Sequence, residues 1–318
     1  MDGILSILKP PGPTSHDMVR LVKRLANAES AGHGGTLDPE ASGVLPVMLG
    51  QATRVSEFLL DVTKVYRATV FLGASTTTYD REGQIVATRD IASVTLEAIA
   101  RALPKFQGHI LQRPPMFSAV KRHGQPLYKS ARAGKEVERA ERAVHVKRIG
   151  LLAWTPPSLS LEIECGRGTY IRSIAHELGE ALGCGGYLQA LERTRVGPFT
   201  VANSLTIEQL HDASLGGYFQ ELLLPIDALV LHLPAAIVSD ADVRAIGQGQ
   251  YLHTVEFAPT PHTQCRAYDL AGDMVALLAK DKTRDMWKPA KVLLGARIAQ
   301  TLGPGKTAEV SSEEDPSG

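Results

Sequence analysis

The chain has 318 residues, 44% of them hydrophobic, and its 34 basic residues are balanced by 34 acidic ones. That length allows a large domain and a small one, and zero net charge argues against a protein that coats nucleic acid without discrimination. Cys165, Cys184 and Cys265 lie far apart and form no CxxC pair, so they suggest neither a disulfide framework nor a thiolate metal site. The opening MDGILSILKPPGP has no charged leader with an apolar stretch behind it, and nowhere do roughly 18 apolar residues run together. A soluble cytoplasmic protein is expected.

In chain order, PPGPTSHDMVRLVKRLA reads as a Pro/Gly turn and then a helix. Thr14 and Asp17 are spaced as a capping box, and Val19, Val22 and Leu25 mark one face. A glycine-rich loop begins at Gly32. In VYRATVFLG, Tyr66, Ala68, Val70 and Leu72 alternate with Arg67, Thr69 and Phe71, which predicts a strand that turns through Asp80 to Gly83 into QIVAT. Residues 94–103 read as helix. LSLEIEC is the clearest strand, with Leu159, Leu161, Ile163 and Cys165 on one face. After the GRGT turn, YIRSIAHELGEALG places Ile171, Ile174, Ala175, Leu178 and Leu182 at helical spacing and stops at Gly183.

From Pro234 the character changes. A short helix capped by Ser239 precedes brief strands around CRAYDLAGDMVALLA, with a Gly-Asp turn at 272 and 273, giving a small β-rich unit over about 234–300. Strands and helices alternate without a regular βαβ rhythm, so the class is α+β with a mixed or antiparallel sheet. Charge is uneven along the chain. Between Arg113 and Arg148 ten Lys or Arg stand against three Glu, an excess of seven that the remainder must offset. Part of the offset lies in the tail 304–318, where Glu309, Glu313, Glu314 and Asp315 sit among Ser, Pro and Gly, a composition that cannot bury enough apolar surface to order itself.

The most informative stretch is GHGGTLDPEASGVLP, residues 32–46. Its glycines permit close backbone approach to a ligand and hold Asp38 just before Pro39. Local chemistry alone reads Asp-Pro as a turn. Neither GxxxxGK[ST] nor a helix-opening GxGxxG is present, so the nucleotide-binding loops are set aside.

Together, KPPGPTS (9–15), GHGGTLDPEASGVLP (32–46), KVYRATVFLG (64–73), RPPMFSAVK (113–121), GTYIRSIAHELGEALG (168–183) and RTRVGPF (193–199) resemble the ordered signature segments of bacterial tRNA pseudouridine-55 synthases of the TruB type. The resemblance covers residues 3–230, and residues 234–300 resemble the PUA-like RNA-binding domain that follows the catalytic domain in that family. It implies a catalytic domain over 1–230 with an RNA-clasping insertion at 113–148. It also implies an enzyme that isomerises one uridine of the tRNA T-arm, acting as a monomer without an obligate protein partner.

Under that resemblance Asp38 is the catalytic carboxylate. The reaction breaks the uracil N1 to ribose C1′ bond and joins C5 to C1′. Nothing is oxidised and no water is consumed, so no cofactor and no metal is expected. An aspartate could attack the ribose or the base, or remove a ribose proton. Arg172 matches the partner arginine, able to orient the carboxylate and lower its pKa by roughly 1 to 3 units. A cation in the first turn of a helix opposes the helix dipole, and a carboxylate partner offsets this.

Tyr66 matches the tyrosine that stacks on the target uracil, a contact worth roughly 1 to 3 kcal/mol, and Tyr170 and Leu191 match positions lining the same pocket. His33 matches the histidine that supports the opened T-loop once nucleotides flip out. Lys121, Arg122, Lys129 and Arg132 are candidate phosphate contacts. The chain departs from many relatives at Glu192, which stands in place of a second arginine, and in TTTYD (76–80), where Asp80 is kept and an earlier acid is missing. Two other readings compete. One is an RNA-binding or tRNA-folding factor in which Asp38 is incidental. The other is a guide-RNA-dependent pseudouridine synthase, against which the presence of the 113–148 insertion argues.

Overall fold

The computed structural model describes residues 1–116, 139–253 and 263–293, together with the backbone of 121–122 and 125–126. The first half of the chain contains β1 (Gly3–Lys9), α1 (Ser15–Leu25), β2 (Ala31–His33), β3 (Ser42–Leu49), α2 (Glu57–Asp61), β4 (Lys64–Leu72), β5 (Ala74–Thr76), β6 (Ile85–Thr88), α3 (Leu96–Ala102) and β7 (Gly108–Gln112). The short pair β8 (Lys121–Arg122) and β9 (Gln125–Pro126) follows. Next come β10 (Arg142–Thr155), β11 (Ser158–Cys165), α4 (Ile171–Ala181), β12 (Gly186–Val196), β13 (Phe199–Thr200) and α5 (Ile207–Gly216). The last elements are β14 (Ala235–Ile237), α6 (Asp240–Gly247), β15 (Gln264–Tyr268), β16 (Met274–Asp281) and β17 (Met286–Val292).

Among the described residues one nine-stranded sheet dominates, in the order β1-β3-β12-β4-β11-β10-β7 with β2 and β13 attached to β3 and β12. Its pairings are antiparallel except for β12 with β3, where Glu192 and Arg193 lie opposite Ser42 and Gly43. That parallel join brings the segment after Asp38 beside residues about 150 positions later in the chain. It is long-range, so local sequence does not announce it.

The alternation predicted in β4 and β11 is present. Ala68, Val70, Leu72, Leu159, Leu161 and Ile163 are at most 1% exposed on one face, against Ile171, Ile174, Ala175 and Leu178 of α4 and Ile99 of α3. Each such aliphatic side chain contributes roughly 1.5 to 3 kcal/mol by leaving water. A second cluster packs Met18, Val19 and Val22 of α1 on Leu5, Ile7, Leu45 and Val47, beside Leu210 and Ala213 of α5. The Thr14/Asp17 capping box opens α1 as its spacing predicts.

The C-terminal β unit is a four-stranded sheet, β14-β15-β16-β17, with its own core of Val243, Ile246, Cys265, Val275 and Leu278. Ser239 and Asp242 form a capping box on α6. Leu277 and Leu293 join a cluster with Val55, Leu59, Leu229 and Val230 of the large unit. Among the described residues no helix is long and apolar enough to cross a membrane.

Candidate active site

The loop between β2 and β3 carries Asp38, and three groups fix it from behind. Lys9, 1% exposed at the end of β1, donates from Nζ to the carbonyls of Pro10 (2.9 Å), Pro39 (2.7 Å) and Ala41 (2.7 Å). Ser15, buried in the first turn of α1, accepts at Oγ from the Leu37 N–H (2.8 Å) and donates to the Leu37 carbonyl (3.0 Å). From β12, Arg193 is 1% exposed and donates to the carbonyls of Val44 (2.8 Å) and Gly35 (3.1 Å). A backbone held on both sides of Asp38 leaves its side chain little freedom.

The glycines of this loop were expected to admit a ligand. Gly34 instead faces protein: a Cβ there would lie 2.2 to 2.8 Å from the Leu59 side chain. Its smallness serves packing against α2.

Arg172 reaches Asp38 from the first turn of α4. Nε lies 3.0 Å from Oδ2 and Nη2 3.3 Å from Oδ1, a two-pronged contact that fixes the carboxylate plane. The arginine side chain is 7% exposed and that of Asp38 47%, so the pair is buried on the cationic side and open on the acidic side. A second carboxylate, Asp80, lies 3.4 Å from Arg172 Nη1. Two acids around one cation offset both its burial and its place at the positive end of the helix.

Asp80 is held in turn by a short Thr78 hydroxyl contact and by the Glu82 N–H at 3.1 Å, while Thr76 Oγ1 donates to its carbonyl at 2.7 Å. Tyr79 beside it adopts a left-handed backbone (φ 65°), and its ring stacks on His176 of α4 at 3.9 Å and 7°. Arg81 also bonds Glu40 across the site, linking the two loops that carry Asp38 and Asp80.

Electrostatics correct one expectation. Although Asp38 is partly exposed, loss of hydration among the surrounding protein atoms is the largest influence on it and pushes its carboxyl above the usual range; Arg172 and Lys9 oppose the rise and Asp80 adds to it. The arginine restrains the shift without reversing it. Loss of hydration likewise lowers the pKa of His33, with Arg193 and His16 adding to the effect, so the imidazole is neutral at pH 7; its Nδ1 accepts from the Gly35 N–H at 3.3 Å.

Tyr66 on β4 is half-buried against the main core, opposite Arg193 in the β4/β12 register, and burial raises its phenol pKa. Leu191 is opposite Ala68 in the same register and packs on that core. Tyr170 immediately precedes α4 and is half-exposed. Asp38 and Arg172 are thus in direct contact, Tyr66 and His33 lie near Arg193 beside the Asp38 loop, Leu191 is two residues before Arg193 on β12, and Tyr170 is two residues before Arg172. Of the basic candidates, Lys121 and Arg122 form a backbone pair with Gln125 and Pro126. Lys129 and Arg132 lie outside the described residues.

Sequence reasoning singled out neither Lys9 nor Arg193 for burial and did not notice Gln112. The signal available was Lys directly before the Pro-Pro-Gly turn; Arg193 stands in a stretch whose alternation is broken, so nothing in its spacing marked it. A family model described as TruB family pseudouridylate synthase (N terminal domain) matches residues 23–171, and one described as tRNA pseudouridylate synthase B C-terminal domain matches 172–231. A tRNA pseudouridine synthase B of Dehalococcoides mccartyi (strain CBDB1) is 44% identical over 294 residues, 92% of this chain and 97% of that protein. The chain belongs to the TruB family.

Another tRNA pseudouridine synthase B, from Azoarcus sp. (strain BH72), is 47% identical over 80% of this chain and 85% of that protein. Among solved structures, a crystal structure of a Cbf5-Nop10-Gar1 complex is similar, with a TM-score of 0.70 and 31% identity over 92% of this chain and 85% of that one. The two TruB-family matches meet inside α4, so both contribute to one sheet.

Two departures from the TruB pattern have local accounts. Glu192 faces Arg67 across the sheet at 3.6 Å, an exposed pair. Thr77 closes the β5/β6 hairpin, exchanging hydrogen bonds with Gln84 at 3.0 and 3.1 Å.

Proposed function

We propose that this chain isomerises uridine 55 in the T-loop of tRNA to pseudouridine, with Asp38 as the catalytic carboxylate. The observation that carries the reading is the Asp38–Arg172 contact, in which the acid is exposed and the base is buried. A carboxylate must face the substrate while its charge and plane are held from behind, and this arrangement does both.

The chemistry is balanced without a co-reactant. The N1–C1′ bond breaks, the base turns about in place, C5 bonds to C1′, the C5 proton is lost and N1 gains one. In this reading Asp38 acts as a nucleophile or as a base at the ribose or the uracil, and Tyr66 stacks on the detached base and keeps it from escaping. His33, neutral and half-buried, supports the T-loop where flipped nucleotides leave their stack, and Tyr170 and Leu191 line the uracil pocket. The basic stretch 113–148 and the C-terminal β unit, read as PUA-like, hold the RNA backbone, and the protein works in the cytoplasm as a monomer.

The test uses unmodified tRNA tritiated at uridine C5, incubated with purified protein in EDTA. Wild type releases tritium at a single T-loop position. Asp38→Asn releases none while keeping tRNA affinity within several-fold, because phosphate and stacking contacts supply most of the binding. Substantial turnover by the variant refutes the assignment of Asp38, and release at another nucleotide refutes position 55.

A further inference from the structure

Arg172 owes its direction to the start of α4, and the residue that opens this helix, Tyr170, has no side-chain cap hydrogen bond. The first backbone N–H groups of a helix lack intrahelical partners, so such an end frays unless something outside holds it. Here the holder is a side chain from the end of β7. Gln112 is 1% exposed; its Oε1 accepts from the Tyr170 N–H at 2.7 Å and its Nε2 donates to the Tyr170 carbonyl at 3.0 Å.

One amide thus pairs with both polar groups of one peptide residue, as a neighbouring strand would. Just past Arg172, the fully buried Ser173 donates from Oγ to the Arg113 carbonyl at 2.9 Å. Residues 112 and 113 therefore grip α4 on either side of Arg172. No other side chain of similar size does what Gln112 does: glutamate accepts from the N–H but, ionised, repels the carbonyl, and methionine fills the space with neither bond.

We propose that Gln112 is a positioning residue for the isomerisation, aligning the first turn of α4 so that Arg172 meets Asp38 two-pronged. The proposal rests on the roles given above to Asp38 and Arg172. A guanidinium displaced by a fraction of an ångström loses one prong, and the carboxylate loses both its fixed plane and part of its opposing charge. Misplacement of about 1 Å at a reacting group costs on the order of a hundredfold in rate.

Gln112→Met and Gln112→Glu are compared with wild type by tritium release under single-turnover conditions, across pH, with tRNA affinity measured separately. Expected for both variants is a rate lowered roughly ten- to a hundredfold with affinity little changed. The acid limb of the rate profile moves to higher pH, because Arg172 no longer restrains the Asp38 carboxyl as strongly. On an Arg172→Lys background Gln112→Met costs less than it does alone, since both act through one contact.

An unmoved acid limb, or costs that multiply independently in the double variant, overturns the proposal, as does a loss confined to affinity. If the methionine variant does not fold, the isosteric glutamate decides by the same readings. Wild-type protein that releases no tritium overturns the isomerase reading and this proposal with it. Wild-type release with unaltered variant profiles overturns this proposal alone.

Discussion

Lys9 shows how one buried residue behind the Asp38 loop shapes the site. Its ammonium serves two carbonyls of the segment just after Asp38, those of Pro39 and Ala41, and the carbonyl of Pro10 in its own turn, in a place where burial lowers its pKa although Glu40 and Asp38 raise it. Lys9→Met keeps the stem and removes the donor. Each buried carbonyl left unpaired costs about 1 to 3 kcal/mol, partly offset because a buried charge is also removed. A net loss of about 2 to 4 kcal/mol in unfolding free energy is expected, together with lower turnover as the Asp38 loop slackens. Urea unfolding and tritium release measure the two effects, and unchanged values for both would show that the loop holds itself. Asp38 and Arg172 were legible in the sequence because GTLDP and GTYIRS are contiguous motifs. Lys9, Arg193 and Gln112 were not, because a buried cation or amide is defined by the carbonyls around it, and those come from other elements.

At the scale of elements, α4 is the member on which most of the site depends. One face packs on the sheet so closely that a Cβ at Gly179 would lie 2.1 Å from the Gly186 nitrogen, which explains a glycine in mid-helix despite its poor helix propensity. Glu177 on the same helix is half-buried, and its carboxyl is pushed up to about 7, chiefly by loss of hydration and then by Glu141, with Arg113 opposing. The sign follows from linkage. Below the unfolded value near 4.5 the residue is protonated in both states and costs nothing. Between there and about 7 the unfolded chain releases its proton while the folded one keeps it, so stability falls as pH rises. Glu177→Gln is therefore expected to raise stability by about 1 to 2 kcal/mol at pH 8, after discounting for partial solvation. At pH 4.5 it should make almost no difference. Thermal unfolding at the two pH values checks this, and an equal effect at both would assign the change to packing. The helix, β4, β11 and the capping boxes were legible from periodicity and spacing. β10 and β12 were not read as strands, for a physical reason: each contains two register shifts against its neighbour, which throw the two-residue alternation out of phase.

Over the whole molecule, the C-terminal β unit is fastened to the large one by specific polar contacts as well as by Leu277 and Leu293. Tyr268 donates to Asp227 at 2.7 Å, Arg54 donates to the Val292 carbonyl at 2.8 Å, and Lys291 pairs with Glu57 at 2.9 Å. Its strands were legible as brief runs around a Gly-Asp turn, whereas its attachment was not, since the partners come from distant segments. RNA binding must be argued at this scale too, because net charge is zero while residues 113–148 carry seven more cations than anions. Each phosphate neutralised by a cation adds roughly 0.7 to 0.9 to the slope of log affinity against log salt. Replacing Lys121, Arg122, Lys129 and Arg132 by glutamine is therefore expected to lower that slope by up to about 3. The single-turnover rate at saturating tRNA should fall far less, since Asp38 and Arg172 are held by Lys9, Ser15 and Gln112, none of them in the altered set. Filter binding over a range of salt and tritium release at saturation measure the two quantities separately. A slope that does not change moves the phosphate contacts to another face. A rate that falls as steeply as the affinity would mean that the basic stretch also helps to assemble the chemistry, which the contacts around Asp38 give no reason to expect.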